Sequence, residues 1–161
     1  MSVPRRVAPS RNSTFVTVPS GSLADAEIVM LGFQVKIAAS TGAVMPTVGV
    51  ATLCREAAQL HPRLRADLVL AAALLHDVGR TSELERGPTF RPTEEGRLLG
   101  HVHLGLRLVE ERAATLELEV RAELLHAIAV HHDTRGARTA EASVLYHANQ
   151  LDAAAATRPV E

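Results

Sequence analysis

The sequence predicts an all-α fold, a helical bundle in one compact domain. Hydrophobic residues make up 47% of the 161 residues, yet they include only three Phe, one Tyr and no Trp. A core built mainly from Ala, Leu and Val favours helices over a β-sandwich. Apolar residues recur at helical spacing, without an internal repeat or strand alternation beyond the N-terminal residues. We expect residues 1–21 to form a flexible or extended tail and residues 22–161 to form the helical domain.

The first predicted helix follows the tail, in which residues 14–18 are a short extended candidate. Ser22 is a favoured N-cap, and the mostly apolar stretch after it predicts a helix over residues 23–40. This helix is more apolar than one core face requires. We therefore expect part of it to form a homodimer contact.

Two further helices precede a long loop. Pro46 is a favoured first-turn residue, and it predicts the start of a helix that runs to Leu60. The next helix, over residues 65–77, is apolar all the way round from Leu68 onward, which is typical of the buried centre of a bundle. Residues 78–93 contain two Gly and two Pro and predict a loop, and loops of this length are often functional.

The C-terminal half predicts three more helices. Thr93 followed by two acidic residues indicates a helix start, and the helix is expected to extend to about residue 115. A fifth helix over about residues 119–132 places two terminal histidines toward its buried face. The last helix covers about residues 139–156.

Charge and composition exclude several classes of function. The net charge is −1, and Arg and Glu are interspersed, so no strong nucleic-acid footprint is present. The single Cys54 fits a reducing compartment, and we expect a cytoplasmic protein. The longest charge-free stretch, residues 68–76, is too short to cross a bilayer, which argues against a membrane protein. The first 24 residues lack the apolar run of a secretory signal, and a disordered tail explains them better than a transit peptide.

Histidines and aspartates are placed where helices end or face inward, and seven of the eight histidines lie between His76 and His147. Any one of them is more often a hydrogen-bonded core residue, but several together indicate a metal site. Imidazole and carboxylate ligands suit Mn, Fe, Co, Ni or Zn, and such an ion offsets the cost of burying Asp77. The ion activates water near neutral pH, and Arg80 can hold a phosphate oxygen. Phosphoester hydrolysis is the predicted chemistry.

Four segments, 74-LLHDVGR-80, 95-EGRLLGHVHLG-105, 130-VHH-132 and 144-VLYHANQLDA-153, together resemble the HD superfamily of metal-dependent phosphohydrolases. They are similar in particular to the HD domain of the YhaM-type 3′→5′ exoribonucleases, over roughly residues 38–157. The resemblance implies one or two divalent transition-metal ions. It also implies a set of metal ligands: His76, Asp77 and Asp152 for one ion, and His101 with His131 or His132 for the other.

The resemblance further assigns Asp77 and Arg80 to catalysis. Arg80 stands where the family usually has a lysine beside the substrate phosphate, and Arg97 is a second candidate for phosphate contact. The family's first motif histidine falls at Pro46, which cannot bind a metal. Two alternatives follow. Either the domain is still a metal-dependent phosphohydrolase that acts on a small phosphorylated compound or nucleotide, or its metal site is degenerate and it binds a ligand or a partner protein. Exoribonuclease activity is the weaker alternative, because the charge offers little to steer a polyanion.

Overall fold

A computed structural model of the chain describes residues 25–30, 33–38, 44–85 and 89–157. These residues are mostly helical, as predicted. The helices are α1 Val44–Leu60, α2 Ala66–Leu75, α3 Arg80–Glu83, α4 Glu94–Arg112, α5 Leu118–Ala129 and α6 Ala140–Ala156. Two antiparallel hairpins accompany them, β1 Asp25–Met30 with β2 Phe33–Ala38, and β3 Leu84–Glu85 with β4 Arg91–Pro92. None of the helices in these ranges combines the length and hydropathy that crossing a bilayer requires.

The prediction of a helix over residues 23–40 is wrong, because a hairpin occupies this stretch. Asp25 pairs with Ala38 and Met30 pairs with Phe33, so two residues connect the strands. The strands also carry residues whose β-branched side chains favour extended backbone, namely Ile28, Val29, Val35 and Ile37.

The hairpin also removes the basis of the predicted homodimer contact. The homodimer contact was inferred from an apolar helix that the structure replaces with strands, so the dimer stays a prediction without that support. The alternation of Phe33, Val35 and Ile37 with polar Gln34 and Lys36 is the strand signal that the helical interpretation passed over. The extended candidate at residues 14–18 and the cap at Ser22 lie outside the described residues.

Helix α2 is the buried centre of the bundle, as its sequence predicts. It contacts α1, α5 and α6. The side chains of Leu68, Val69 and Leu75 are almost fully buried, and so are the three consecutive alanines at residues 71–73. Alanines let neighbouring helices approach closely, and Cys54 packs in the same core as a small hydrophobic residue.

Side chains cap the helices that carry the site. The Thr93 hydroxyl accepts the Gly96 N–H at 2.8 Å and Thr139 accepts the Ala142 N–H at 3.2 Å, which confirms both predicted helix starts. The buried Glu141 carboxylate of α6 accepts the backbone N–H of Arg65 at 2.9 Å. Helix α2 thereby gains a cap from another helix, because the side chain of its N-cap residue, Arg65, contains no acceptor atom that could bind the first N–H groups.

Two glycines set the path of the chain around the end of α2. A Cβ atom on Gly79 would lie 1.9 Å from the carbonyl oxygen of His101, so only glycine lets this corner touch α4. Gly100 interrupts α4 with φ 70° and ψ 164°, a conformation that is essentially restricted to glycine. The predicted loop over residues 78–93 also contains local structure, because α3, β3 and β4 lie within it.

We expect Gly100→Ala to lower the free energy of unfolding by about 1–3 kcal/mol, because alanine is strained in this backbone conformation. Nothing lies within 4 Å of the added Cβ, so the loss would come from the backbone alone. Urea denaturation measures it, with Glu110→Ala on the exposed side of α4 as the control, expected within about 0.5 kcal/mol of the unaltered chain. Equal stability of both variants would contradict the break in α4.

Candidate metal centre

The centre begins where helix α2 ends. His76 is the C-cap residue of α2 and is 1% exposed, and Asp77 follows it in the turn that leads to α3. The Asp77 side chain is 13% exposed. A run of apolar residues therefore delivers an imidazole and a carboxylate into the interior, where a carboxylate is costly to bury without a partner of opposite charge.

Two other elements bring histidines to the same place. His101 follows the break at Gly100, so it opens the second part of α4. His131 and His132 lie in the turn just after α5, which ends at Ala129, three residues earlier than predicted. His131 is fully buried, whereas His132 is on the solvent side.

Four of these residues converge on one point. Ligand atoms of Asp77, His101, His131 and His132 all lie within 4.8 Å of one another. Asp77 Oδ1 is 3.3 Å from His101 Nε2 and 3.9 Å from His131 Nε2. His101 Nε2 is 3.1 Å from His132 Nε2. An ion with bonds of about 2.1 Å separates its ligands by about 3–4 Å, so the spacing suits a single ion.

Hydrogen bonds to the backbone determine which ring nitrogens face the cluster. Nδ1–H of His76 donates to the Ala73 carbonyl at 2.7 Å, and Nδ1–H of His131 donates to the Ile128 carbonyl at 2.6 Å. Since a carbonyl only accepts, both rings carry their proton on Nδ1 and present an unprotonated Nε2.

The cluster contains polar atoms that are buried and have no partner. Among the described residues, these atoms are His76 Nε2, His131 Nε2 and Asp77 Oδ1. Buried polar atoms are almost always hydrogen-bonded, and an unmet set of two imidazole nitrogens and one carboxylate oxygen is the donor set of a transition-metal ion. The residues present therefore fit a divalent metal ion.

Burial keeps the histidines neutral. It lowers the pKa of His131 from 6.5 to about 4, and it is also the largest cause of the lowered pKa of His76, His101 and His132. For Asp77 burial alone would raise the pKa, but the charge of His76 when it is protonated, and the hydrogen bond and charge of Arg80, lower it below its ordinary value. At neutral pH the cluster thus consists of neutral imidazoles around a carboxylate, the protonation states that bind metals.

The remaining predicted site residues lie at different distances from this cluster. Arg80 is part of it, because its Nε is 3.0 Å from Asp77 Oδ2. Asp152 on α6 is outside the four-residue group and packs against Gly49 of α1, where a Cβ atom would lie 2.0 Å from its Oδ1. Arg97 is exposed on α4 and makes no ion pair with the described residues. The roles assigned to Asp152 and Arg97 stay predictions.

Sequence reasoning missed Glu83. Its carboxylate accepts the backbone N–H of His101 at 3.2 Å and lies 3.3 Å from Arg80 Nη1. Glu83 stands three residues after Arg80 in the stretch predicted as a loop, and that spacing places both on one side of a helical turn. Because the stretch was predicted as a loop and not as α3, this spacing could not be used to pair Glu83 with Arg80.

Comparison with known proteins gives a family match. The family model described as HD domain matches residues 46–154. Curated relatives include the 3′-5′ exoribonuclease YhaM of Bacillus licheniformis, Bacillus velezensis and Bacillus subtilis, each 30% identical over 121 residues. The match covers 70% of this chain but only 38% of each relative. No solved structure gives a significant match.

We expect the metal-free protein to lose stability as the pH falls from 7.5 to 5. The unfolded chain takes up a proton at His131 near pH 6.5, whereas the folded chain holds its pKa at about 4. The contribution is complete above pH 6.5 and is lost on acidification, by about 2 kcal/mol at pH 5 from this residue alone. Urea denaturation with a chelator present measures the change.

His131→Asn is the informative variant, because asparagine keeps a donor for the Ile128 carbonyl but does not titrate. Its free energy of unfolding should depend less on pH. The exposed His61→Asn is the matched control and should behave as the unaltered chain does. A free energy of unfolding that stays constant or rises on acidification of the unaltered chain would refute the neutral, buried state of His131.

Proposed function

The chain belongs to the HD-domain family, and on that premise we propose that it is a metal-dependent phosphohydrolase that acts on a small phosphorylated compound or nucleotide. The observation that carries the proposal is the convergence of Asp77, His101, His131 and His132, in which Asp77 Oδ1 and His131 Nε2 are buried and have no partner among the described residues. Such atoms destabilise a fold by about 1–3 kcal/mol each, and a cation is the partner that their common chemistry requires.

We place one ion at Asp77, His101, His131 and His132, as three imidazoles and a carboxylate suit Mn, Fe, Co, Ni or Zn. A bound ion of this kind supplies Lewis acidity toward a phosphoryl oxygen and lowers the pKa of water. The protein's own part is to hold the ligand atoms in place. The hydrogen bond from His131 Nδ1–H to the Ile128 carbonyl does this for one ligand, because it prevents the ring from rotating.

A second ion at His76, Asp77 and Asp152 is less supported. Asp77 Oδ2, the oxygen that faces His76 at 3.7 Å, already receives Arg80 Nε at 3.0 Å. Pro46 lies where the family's first histidine is expected, and Asp152 packs against Gly49 one helical turn later on α1. We therefore propose single-ion occupancy, with the Arg80 guanidinium as the cation at Oδ2.

Arg80 is the proposed contact for the substrate phosphate. Its side chain is 36% exposed, so it reaches solvent while its Nε holds Asp77. A guanidinium has five N–H donors, and two of its nitrogens are used by Asp77 and Glu83. The remaining donors can bind phosphate oxygens beside the ion, which orients the phosphorus atom for attack.

The relatives suggest a second substrate class. The curated relatives named 3′-5′ exoribonuclease are more than twice as long as the aligned segment, because this chain matches 38% of them. RNA would require positive charge along its path, and this chain has a net charge of −1. The proposal therefore ranks mononucleotides, cyclic nucleotides and phosphomonoesters before RNA as substrates. A screen for hydrolytic activity should contain these compounds together with a short RNA.

We expect the purified protein, after dialysis against Mn²⁺, Co²⁺ or Zn²⁺ and removal of excess metal, to retain about one equivalent per chain. Asp77→Asn should lose it, because the only carboxylate of the four-residue group is then neutral. His101→Ala removes another ligand of the four-residue group and should also lose the metal. His103→Ala is its matched control, since His103 is exposed two residues further along α4. Elemental analysis gives the stoichiometry, and circular dichroism confirms that each variant is folded. A folded chain that retains no metal under any loading would favour the degenerate binding domain.

We expect Arg80→Ala to retain the metal but to lower kcat/KM for the best phosphoester in the screen by about 10–100-fold, chiefly through KM. The loss corresponds to charge-assisted hydrogen bonds to phosphate. Arg80→Lys should recover part of it, because lysine keeps the charge without the planar fork. Arg55→Ala, an exposed arginine on α1, is the control. An unchanged KM in Arg80→Ala would remove Arg80 from substrate binding.

A further inference from the structure

We propose that Glu83 is a positioning residue that fixes the ring orientation and the tautomer of His101, and thereby the direction of its Nε2 lone pair. The relevance to metal binding rests on the proposed function, because His101 is a ligand only there. The tautomer itself does not depend on a metal. The two parts can therefore be tested separately.

The Glu83 carboxylate joins the two groups that approach Asp77 from different elements. Its Oε1 accepts the His101 backbone N–H at 3.2 Å and lies 3.6 Å from Nδ1 of the same ring. Its Oε2 is 3.3 Å from Arg80 Nη1. The side chain is 18% exposed, so solvent competes little for these contacts. The 3.6 Å separation is longer than a hydrogen bond, so the structure shows Nδ1 and Oε1 facing each other, and the proposal is that they form a hydrogen bond.

His101 needs such a partner because it lacks the anchor that two neighbouring rings have. His76 and His131 each donate Nδ1–H to the carbonyl three residues earlier in their own turns. For His101 the residue three positions earlier is Leu98, but the break at Gly100 separates the two halves of α4 there. No hydrogen bond joins the His101 ring to that carbonyl in the described residues. The Glu83 carboxylate takes its place.

The backbone of Glu83 is held firmly enough for this role. Its carbonyl accepts the Thr93 N–H at 2.8 Å, and the Thr93 hydroxyl lies between the Ser82 and Glu83 carbonyls at 3.0 and 3.3 Å. Gly96 packs directly on it, since a Cβ atom at that position would lie 2.2 Å from the same carbonyl oxygen. The first turn of α4 therefore fixes Glu83, and Glu83 in turn fixes the start of the second part of α4 at His101.

The arrangement predicts a specific proton distribution in the metal-free protein. With its Nδ1–H directed at the Glu83 carboxylate, His101 presents an unprotonated Nε2 to the cluster. That atom lies 3.1 Å from His132 Nε2, which must then carry the proton that joins the two rings. His101 is ready to bind a metal without a change of tautomer, whereas His132 must move its proton.

The test is the ¹⁵N chemical shift of the imidazole nitrogens in the metal-free full chain at pH 7.5. The unaltered chain should show His101 in the Nδ1–H form. Glu83→Ala should shift it toward the Nε2–H form, and Glu83→Gln should restore it, because the amide oxygen still accepts a hydrogen bond from Nδ1–H. Glu85→Ala is the matched control, an exposed glutamate two residues later in β3. Glu83→Met replaces Glu83→Ala if the latter does not fold.

A second measurement links the tautomer to the metal. Co²⁺ affinity by visible absorption should fall about 10–100-fold in Glu83→Ala, recover partly in Glu83→Gln and stay unchanged in Glu85→Ala. An Nε2–H form of His101 in the unaltered chain, or no shift in folded Glu83→Ala or Glu83→Met, would overturn the positioning role. A chain that shows the expected tautomers but binds no Co²⁺ would instead refute the metal site and leave the role of Glu83 in orienting His101 intact.

Discussion

The burial of the Asp77 carboxylate is the constraint around which the centre is organised. The apolar α2 ends in His76 and Asp77, and removing a carboxylate from water costs several kcal/mol unless a cation or several hydrogen bonds replace the water. Arg80 satisfies one of the two oxygens. The other, Oδ1, lies 3.3 Å from His101 Nε2 and 3.9 Å from the unprotonated Nε2 of His131, and neither Oδ1 nor His131 Nε2 has a hydrogen-bond partner among the described residues. A divalent cation would be complementary to Asp77 Oδ1 and to the histidine nitrogens of the four-residue group at once, and would offset the cost of burying them.

Small residues make this arrangement sterically possible. Three alanines on α2 allow its neighbours to pack closely, and Gly79 lies against the backbone of α4 near His101. Gly105 lies on the other side of the same contact, with its ideal Cβ position 3.2 Å from Gly79 N. The distance between Asp77 and His101 is therefore determined by backbone contact and not by adjustable side chains. Rigid elements of this kind hold ligand atoms more accurately than loops do.

Sequence patterns were sufficient for the helices of the bundle but not for the hairpin at residues 25–38. The α2 and α4 predictions rested on two strong signals, an apolar run and a capping threonine. Over residues 25–38 the apolar residues are dense enough to fit both the helical period of 3.6 and the strand period of 2. Only the β-branched residues and Gly32 in the sequence favoured strands over a helix. Within the site, His76, Asp77, His101, His131 and His132 could be singled out by residue type and position. Glu83 and the ring tautomers could not, because they depend on which carbonyls and carboxylates approach each ring in three dimensions.

The two departures from the family pattern expected from the resemblance, at Pro46 and Arg80, would share one physical explanation. Without a donor at Pro46, an ion at the His76 side of Asp77 would have fewer protein ligands and would bind more weakly. A positive charge is still needed at Oδ2, and Arg80 supplies it permanently at 3.0 Å. A lysine has a single nitrogen, whereas the guanidinium contacts Asp77 through Nε and Glu83 through Nη1 at the same time. The replacement of an ion by an arginine would leave the proposed metal on the His101 side unchanged, because that ion uses Oδ1 and the second part of α4.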